Sequence, residues 1–332
     1  MQDEPAGLTR HQVAATLRSR WGVGVQTIEY APVGFGSHHW RVLDDAGRRW
    51  FVTADQPSNV LGGGLDAAAN EAALLAAYET ASALSAAGLD FIVAPLATTD
   101  GKVIAYPAPD WCVALFPHVE GVACGNSTWD SAADLTRAVS LVGRLHSMQP
   151  PGVTQPWSGT VPNRSHLEAA LAALDLPWNT GPYAEPTRQS LAGARTTVET
   201  QLARYDRLAQ RVIAMPDPWV ITHGEPHQAN FIKTLDRSLH LIDWGTARLG
   251  PRERDLWMLL EGGSGLDAYR ATAGDYTPRP EAIALFGLLW QLTDLSIYIH
   301  RFRETHGNGE DDAKSFWGVE QTLTWLAELP SG

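Results

Sequence analysis

The sequence predicts an α+β chain in two lobes, a small β-rich lobe followed by a larger, mainly helical one. Three observations carry this. Short β-type runs separated by Gly and Asp turns crowd the first third of the chain. Helical periodicity dominates after Gly121. A single β-type interlude, residues 220–243, interrupts the helices. At 332 residues the chain has room for two packed units of about 100–200 residues each. The expected division is residues 1–115, a connecting segment 116–121, and residues 122–332.

In chain order, residues 9–21 read as an amphipathic helix with Val13, Leu17 and Trp21 at helical spacing. Residues 25–32, 40–43 and 50–53 are strands, separated by Gly34-Phe35-Gly36 and by Asp44-Asp45-Ala46-Gly47. An Ala/Leu-rich helix spans 66–87 and stops at Gly88. Residues 91–96, 102–106 and 113–116 are read as further strands. Helices are expected at 132–148, 167–174 and 190–215, and again from about residue 254. The Pro-, Gly- and Trp-rich segment 150–186 reads as a loop or lid, and 304–312 as a mobile polar loop.

Composition excludes several classes. Acidic residues outnumber basic ones 37 to 25, a net charge of −12. That balance opposes a nucleic-acid partner, which requires a positive surface. Two cysteines, Cys112 and Cys124, cannot staple a chain of this length and lack metal-ligand spacing, so reduced thiols and a cytoplasmic location are expected. The start, Met1-Gln2-Asp3-Glu4-Pro5, is acidic and lacks the basic residues and apolar run expected of a signal peptide. The apolar run 282–290, broken by Gly287, is too short to span a bilayer.

The chemistry concentrates in Ile221-Thr222-His223-Gly224-Glu225-Pro226-His227-Gln228-Ala229-Asn230-Phe231-Ile232, followed by Leu241-Ile242-Asp243-Trp244-Gly245. An acid and an amide on one loop, a short hairpin, then a second carboxylate are a set suited to phosphoryl transfer. One carboxylate orients and deprotonates an acceptor hydroxyl; the amide oxygen and the other carboxylate hold Mg²⁺ on nucleotide phosphates.

The order His-Gly-acid-four residues-Asn, then Ile-Asp-Trp, resembles the catalytic loop and metal motif of the aminoglycoside phosphotransferase family, which shares the protein-kinase fold. Leu141-Val142-Gly143-Arg144-Leu145-His146 resembles the helix before that loop, and Gly250-Pro251-Arg252-Glu253-Arg254-Asp255-Leu256 the segment after the metal Asp. The likeness runs from about Val25 to Tyr298 and looks most like the spectinomycin phosphotransferase branch. It implies a bilobal protein-kinase-like fold with 1–115 as nucleotide lobe, 116–121 as hinge and 122–332 as helical lobe. It also implies ATP or GTP as co-substrate with Mg²⁺, Glu225 as base, His223 as a brace of the loop, and Asn230 and Asp243 as metal ligands.

The sequence departs from that pattern in two places. The base is Glu225 where the family has Asp, which moves the carboxylate by about one C–C bond; His227 is the alternative base. The strand position expected to hold the phosphate-binding lysine is Thr53, leaving Arg41 or Lys102 as substitutes, and Glu71 or Glu79 without their usual partner. A kinase-fold binding protein without catalysis is the rival reading. Gly34, Gly36 and Ser37 resemble a shortened glycine-rich phosphate cover, and Phe116 and His118 sit where the base would meet the hinge. A hydroxylated, cationic acceptor would be held by Glu261, Asp267 and Asp294, with Trp290 and Tyr298 packing on it; Trp290, Asp294 and Tyr298 share one helical face.

Overall fold

The computed structural model describes residues 1–58, 67–125, 128–260 and 265–330. Helix α1 (Arg10–Trp21) starts where Thr9 caps it: the Thr9 hydroxyl accepts from Gln12 N–H while the Gln12 side chain accepts from Thr9 N–H. Strands β1 (Val25–Ala31), β2 (His38–Asp44), β3 (Arg49–Asp55), β4 (Ala105–Ala108) and β5 (Trp111–Pro117) form one antiparallel sheet in the order β1-β2-β3-β5-β4. Alternation along β3 sends Val52 and Ala54 to the outer face, under Leu8, Val13 and Leu17. The other face carries Phe51, Thr53 and Asp55, whose partners on β5 are Phe116, Ala114 and Cys112. That inner face looks across a cleft, backed by helix α2 (Ala67–Ala86). The predicted start of α2 at Asp66 lies outside the described residues.

Residues 91–96 are not a strand of this sheet. Val93 N–H donates to Leu241 O and Leu241 N–H to Phe91 O, a lone parallel bridge that ties the first lobe to the second. The apolar run therefore serves as a seam between lobes. The strand expected at 102–106 is shifted to β4. At the connecting segment, β5 continues through Pro117, so Phe116 belongs to the sheet and the chain leaves it only at His118.

The second lobe opens with β6 (Val122–Ala123) and α3 (Ala132–His146), then α4 (Arg164–Ala172), α5 (Ala184–Gly193) and α6 (Arg195–Ile213). The single helix expected over 190–215 is two, broken at Ala194 after Gly193, where one N–H is shared among the last carbonyls of α5. The segment 150–186 is not a lid: Trp157, Val161, Leu167, Leu171 and Trp178 are buried in the helical core, and Trp157 N–H bonds Leu249 O at 2.7 Å.

Next come β7 (Val220–Thr222), β8 (Phe231–Lys233), β9 (Leu239–Leu241) and β10 (Arg248–Gly250), pairing as β10-β7 and β6-β8-β9. The chain ends in α7 (Glu253–Leu259), α8 (Leu266–Ala273), α9 (Pro280–Arg303) and α10 (Glu310–Glu328). Helix α9 is long and apolar enough by composition to cross a membrane. Here it packs among α4, α6, α7 and α10, which explains apolar residues around its whole circumference. Residues 304–312 are not a free loop either. Asp311 and Asp312 open α10 and are 3% and 7% exposed; Asp311 accepts from the backbone of Gln2 and Asp3, and Asp312 pairs with Arg301.

Candidate active site

The site is assembled around one buried carboxylate that the sequence reading left without a role. Asp255, at the start of α7 and fully buried, accepts from His146 Nε2 (3.0 Å), His223 N–H (2.9 Å) and Gly224 N–H (2.6 Å). Burial alone would raise it; the hydrogen bond from His146 leads the effects that outweigh burial, with smaller contributions from the electrostatics of His146, His223 and Arg254, and its carboxyl lies below the ordinary range. Tyr269 orients His146 from the far side, at 2.7 Å from Nδ1. The loop 223–225 is thus hung on α7 and α3.

His223 ties the loop to the next strand. Burial drives its imidazole down to about 4, so the ring is neutral. Nε2–H donates to Ile242 O at 2.9 Å and Nδ1 accepts from Glu225 N–H at 3.2 Å. With both nitrogens engaged and the ring edge-on to Trp244, His223 is a brace and has no lone pair left for proton transfer. Gly224 takes φ +100°, and a Cβ there would stand 2.4 Å from Arg254 Nη2. Only glycine lets the half-buried Arg254 guanidinium lie against the loop, where it bonds Thr222 Oγ1 and Thr246 O, each at 2.8 Å.

Glu225 follows, half-buried in the cleft. Burial raises its carboxyl, the charges of Asp243 and Asp294 raise it further, and Arg254 opposes them. Asn230 Nδ2 donates to Glu225 O at 2.9 Å and faces His227 Nε2 at 3.3 Å, which leaves the Asn230 amide oxygen as its available ligand atom. The same contact engages the nitrogen that His227 would need as a base. Pairing of β8 with β9 extends to Ile242 N–H donating to Asn230 O at 3.0 Å, so Asp243 emerges beside Asn230. Asp243 sits at φ +66°, a left-handed conformation uncommon for a non-glycine residue. The residue as a whole is exposed in the cleft, while desolvation of its carboxyl end raises that group, with no hydrogen-bond donor to offset the rise among the described residues.

Two hard oxygen donors, the Asn230 amide and the Asp243 carboxylate, fit a Mg²⁺ ion that takes its remaining ligands from phosphates and water. Among the described residues no group of three or more His, Cys, Asp or Glu is placed to hold a metal alone.

In the first lobe, Gly34 and Gly36 take φ +71° and +94° in the β1–β2 turn, the left-handed region that favours glycine. Ser37 Oγ donates to Asp55 Oδ1 at 2.5 Å. Thr53 is buried, its Oγ1 3.2 Å from His39 Nδ1, and no lysine replaces it. Lys102 is exposed in a turn beside the C-terminal end of α1, on the outer side of the sheet, so it is not a phosphate ligand. Arg41 lies near His118 at the hinge end. Glu71 accepts from Tyr106 at 2.6 Å. Phe116 packs edge-on to Tyr78 inside the core and is closed to a base; His118 is half-exposed, its Nδ1 buried without a partner among the described residues.

Where the lysine pair is expected, the structure has an acid. Asp55 is buried, bonded by Ser37 and Tyr78, and raised to about 6 by burial first and by Asp243 second. In an unfolded chain it would titrate near 3.8. The folded state therefore favours its protonated form, a contribution present below about pH 4 and lost as pH rises through about 6. Asp55→Asn removes this contribution, so the slope of Tm against pH over that window should become more positive in metal-free buffer; thermal melts with a slope equal to that of the unsubstituted protein would contradict this.

The acceptor residues divide. Asp294 has no hydrogen-bond or ion-pair partner among the described residues, and burial pushes it up to about 7. It lines a groove of about 360 Å³ between α9 and α10 together with Gln291, Tyr298, Trp317, Gln321 and Glu328. Trp290 instead lies between His227, which it meets edge-on, and Trp257, to which its ring is tilted, walling the loop that carries His227. Asp267 is a correction: it is exposed on α8, which packs on α3, and its partner is Arg270 at 3.7 Å. Glu261 lies outside the described residues. The sequence reading missed Asp255, Asp55 and the α10 wall. Only Asp255 had a signal, the Arg-Asp-Leu that follows the predicted metal Asp.

Comparison with known proteins places this geometry. The phosphotransferase enzyme family (APH) matches residues 27–286. Protein StrN of Streptomyces griseus is 29% identical over 249 residues, 71% of this chain and 73% of that protein. Among solved structures, spectinomycin phosphotransferase APH(9)-Ia, in complex with ADP and spectinomycin, superposes with a TM-score of 0.71 at 13% identity, covering 97% of this chain and 98% of that one. Amicoumacin kinase hAmiN, in complex with AMP-PNP, Ca²⁺ and its ligand, gives 0.61 at 12% identity, covering 98% and 97%. These structural likenesses establish a shared bilobal kinase-like fold.

Proposed function

The chain belongs to the phosphotransferase enzyme family and is a kinase-type small-molecule phosphotransferase, and from that premise we propose that it moves the γ-phosphate of Mg²⁺-ATP or Mg²⁺-GTP to a hydroxyl of an aminoglycoside, an aminocyclitol or a related sugar-like metabolite. The observation that carries this reading is the convergence of Glu225, the Asn230 amide oxygen and Asp243 on one cleft, held by the His223–Asp255 brace.

In this reading residues 1–117 bind the nucleotide, 118–121 connect the lobes and 122–332 carry the loop and the acceptor groove. Gly34, Gly36 and Ser37 cover the phosphates, and His118 meets the base. Glu225 accepts the proton of the acceptor hydroxyl as that oxygen attacks the γ-phosphorus in line; the bond to the β–γ bridging oxygen breaks and the nucleoside diphosphate leaves. Asn230 and Asp243 hold the cation, which when bound neutralises charge on the phosphates. The unpartnered Asp294 and the aromatic rings of Tyr298 and Trp317 favour a cationic, ring-shaped acceptor. Such a reaction belongs in the cytoplasm, where nucleoside triphosphate is at hand, and both cysteines are free and buried.

The similar proteins suggest spectinomycin and amicoumacin as the first acceptors, and the panel is widened to other aminocyclitols and to neutral sugars. A thermal-shift screen of these with Mg²⁺ and ATP or GTP, followed by mass spectrometry, should find a product heavier by one HPO₃, about 80 mass units. Thr53 in the lysine position favours one rival, binding without transfer. Nucleotide and acceptor binding with no mass gain across the panel would establish that rival.

A further inference from the structure

The β1–β2 turn touches more than the nucleotide side of the cleft. Phe35, between Gly34 and Gly36, reaches across to α9, where its ring meets Tyr298 edge-on with centroids 5.6 Å apart and planes at 67°, a favourable aromatic arrangement. Tyr298 is a fixed landing. Behind it stands Gly318 of α10, where a Cβ would lie 2.5 Å from the Tyr298 ring, so only glycine allows that ring its place. One turn earlier on α9 is Asp294, whose charge acts on both Tyr298 and Glu225.

A second contact holds the same hairpin from outside. Asp311 of α10 accepts from Gln2 N–H at 3.0 Å and Asp3 N–H at 3.1 Å, and Tyr30 of β1 donates to Asp3 O at 2.8 Å. The hairpin that carries the glycines is thus seated on α9 and α10, the two helices that wall the acceptor groove. Tyr298 belongs to both structures: it lines the groove and receives Phe35.

We propose that Phe35 is a positioning residue that couples the two substrate pockets, its seat on Tyr298 linking closure of the β1–β2 turn over the phosphates to the shape of the acceptor groove. The inference rests on the assignment of those pockets given above. Loop closure that completes an acceptor site is a recognised route to commitment in transferases, and coupling of this kind is reciprocal between ligands. Phe35 then reports a bound nucleotide to the acceptor wall, and a seated acceptor steadies the cover.

The test uses the full chain labelled with 3-fluorotyrosine. There are eight tyrosines, and the Tyr298 fluorine signal is assigned by its loss in Tyr298→Phe. Mg²⁺-AMP-PNP is added to saturation, with saturation checked by calorimetry. The Tyr298 signal is expected to move in the unsubstituted protein and in Phe35→Leu, which keeps an apolar contact, and to stay in place in saturated Phe35→Ala. Equal movement in Phe35→Ala, or none in the saturated unsubstituted protein, would overturn the coupling. So would a Phe35→Ala protein that no longer saturates, since Phe35 would then belong to the nucleotide site itself. An unsubstituted protein that takes up no AMP-PNP would refute the phosphotransferase reading beneath it.

Discussion

Glu225→Gln is expected to lower kcat for phosphoryl transfer by about 10²–10⁴-fold, the usual worth of a positioned general base, with little change in the KM of the nucleotide. The glutamine keeps the size of the side chain and its place on the loop, because the loop is held by backbone contacts from Asp255 and by His223 Nδ1, not by the Glu225 carboxylate. Only the proton acceptor is removed.

The same residue sets a pH dependence. Burial and the neighbouring charges of Asp243 and Asp294 lift the Glu225 carboxyl above its ordinary 4.5. The protonated form cannot accept a proton, so kcat/KM should fall as pH falls through that raised value, and the acid limb should lie well above the usual carboxylate range. The limb should vanish in Glu225→Gln. A profile whose acid limb survives the substitution would move the base to another group.

Asp255→Ala is the second large effect, on stability and not on chemistry alone. Removing one partner of a buried ionic network leaves the others unmet, typically at about 3–5 kcal/mol. Here the stranded groups are His146 Nε2 and the N–H groups of His223 and Gly224, and the half-buried Arg254 loses the carboxylate that acts on it most strongly. Denaturant unfolding should show a midpoint shift of that size, and transfer should be lost even where the protein remains folded, because Glu225 is no longer aimed. A stability change below about 1 kcal/mol would show that the loop does not depend on this brace. Asp255→Asn should fall between, since an amide can satisfy some of the donors but not all.

The parts of the site that were readable in sequence are those whose geometry is local. His223, Glu225 and Asn230 share one loop, and a short hairpin returns the chain to Asp243, so spacing alone brings them together. Gly34 and Gly36 announce a turn for the same reason. Asp255 and His146 stand inside recognisable motifs, yet spacing assigns them no role, because their meaning comes from a contact between α3 and α7 that spacing does not express. Asp55 was invisible for a different reason: the expected lysine position drew attention to Thr53, while the side chain that fills the space lies two residues on, on the same face of β3. Two segments misread as loose, 150–186 and 304–312, are Pro- or Gly-rich and polar in sequence. They are held by long-range packing onto α6 and α9 and by the Asp311 clasp. Residues 91–96 had strand composition but find their partner in the other lobe. Asp267 failed because an acid on a helix has no signal separating a solvated face from a cleft.

The division of labour among Glu225, Asn230 and Asp243 is tested most directly by Mn²⁺ electron paramagnetic resonance with AMP-PNP, which requires no knowledge of the acceptor. The unsubstituted protein and Glu225→Gln should both immobilise Mn²⁺ in the presence of AMP-PNP. Asp243→Ala should lose that bound signal, and Asn230→Ala should weaken it. Retention of the full signal in Asp243→Ala, or its loss in Glu225→Gln, would contradict the assignment of metal ligands and base.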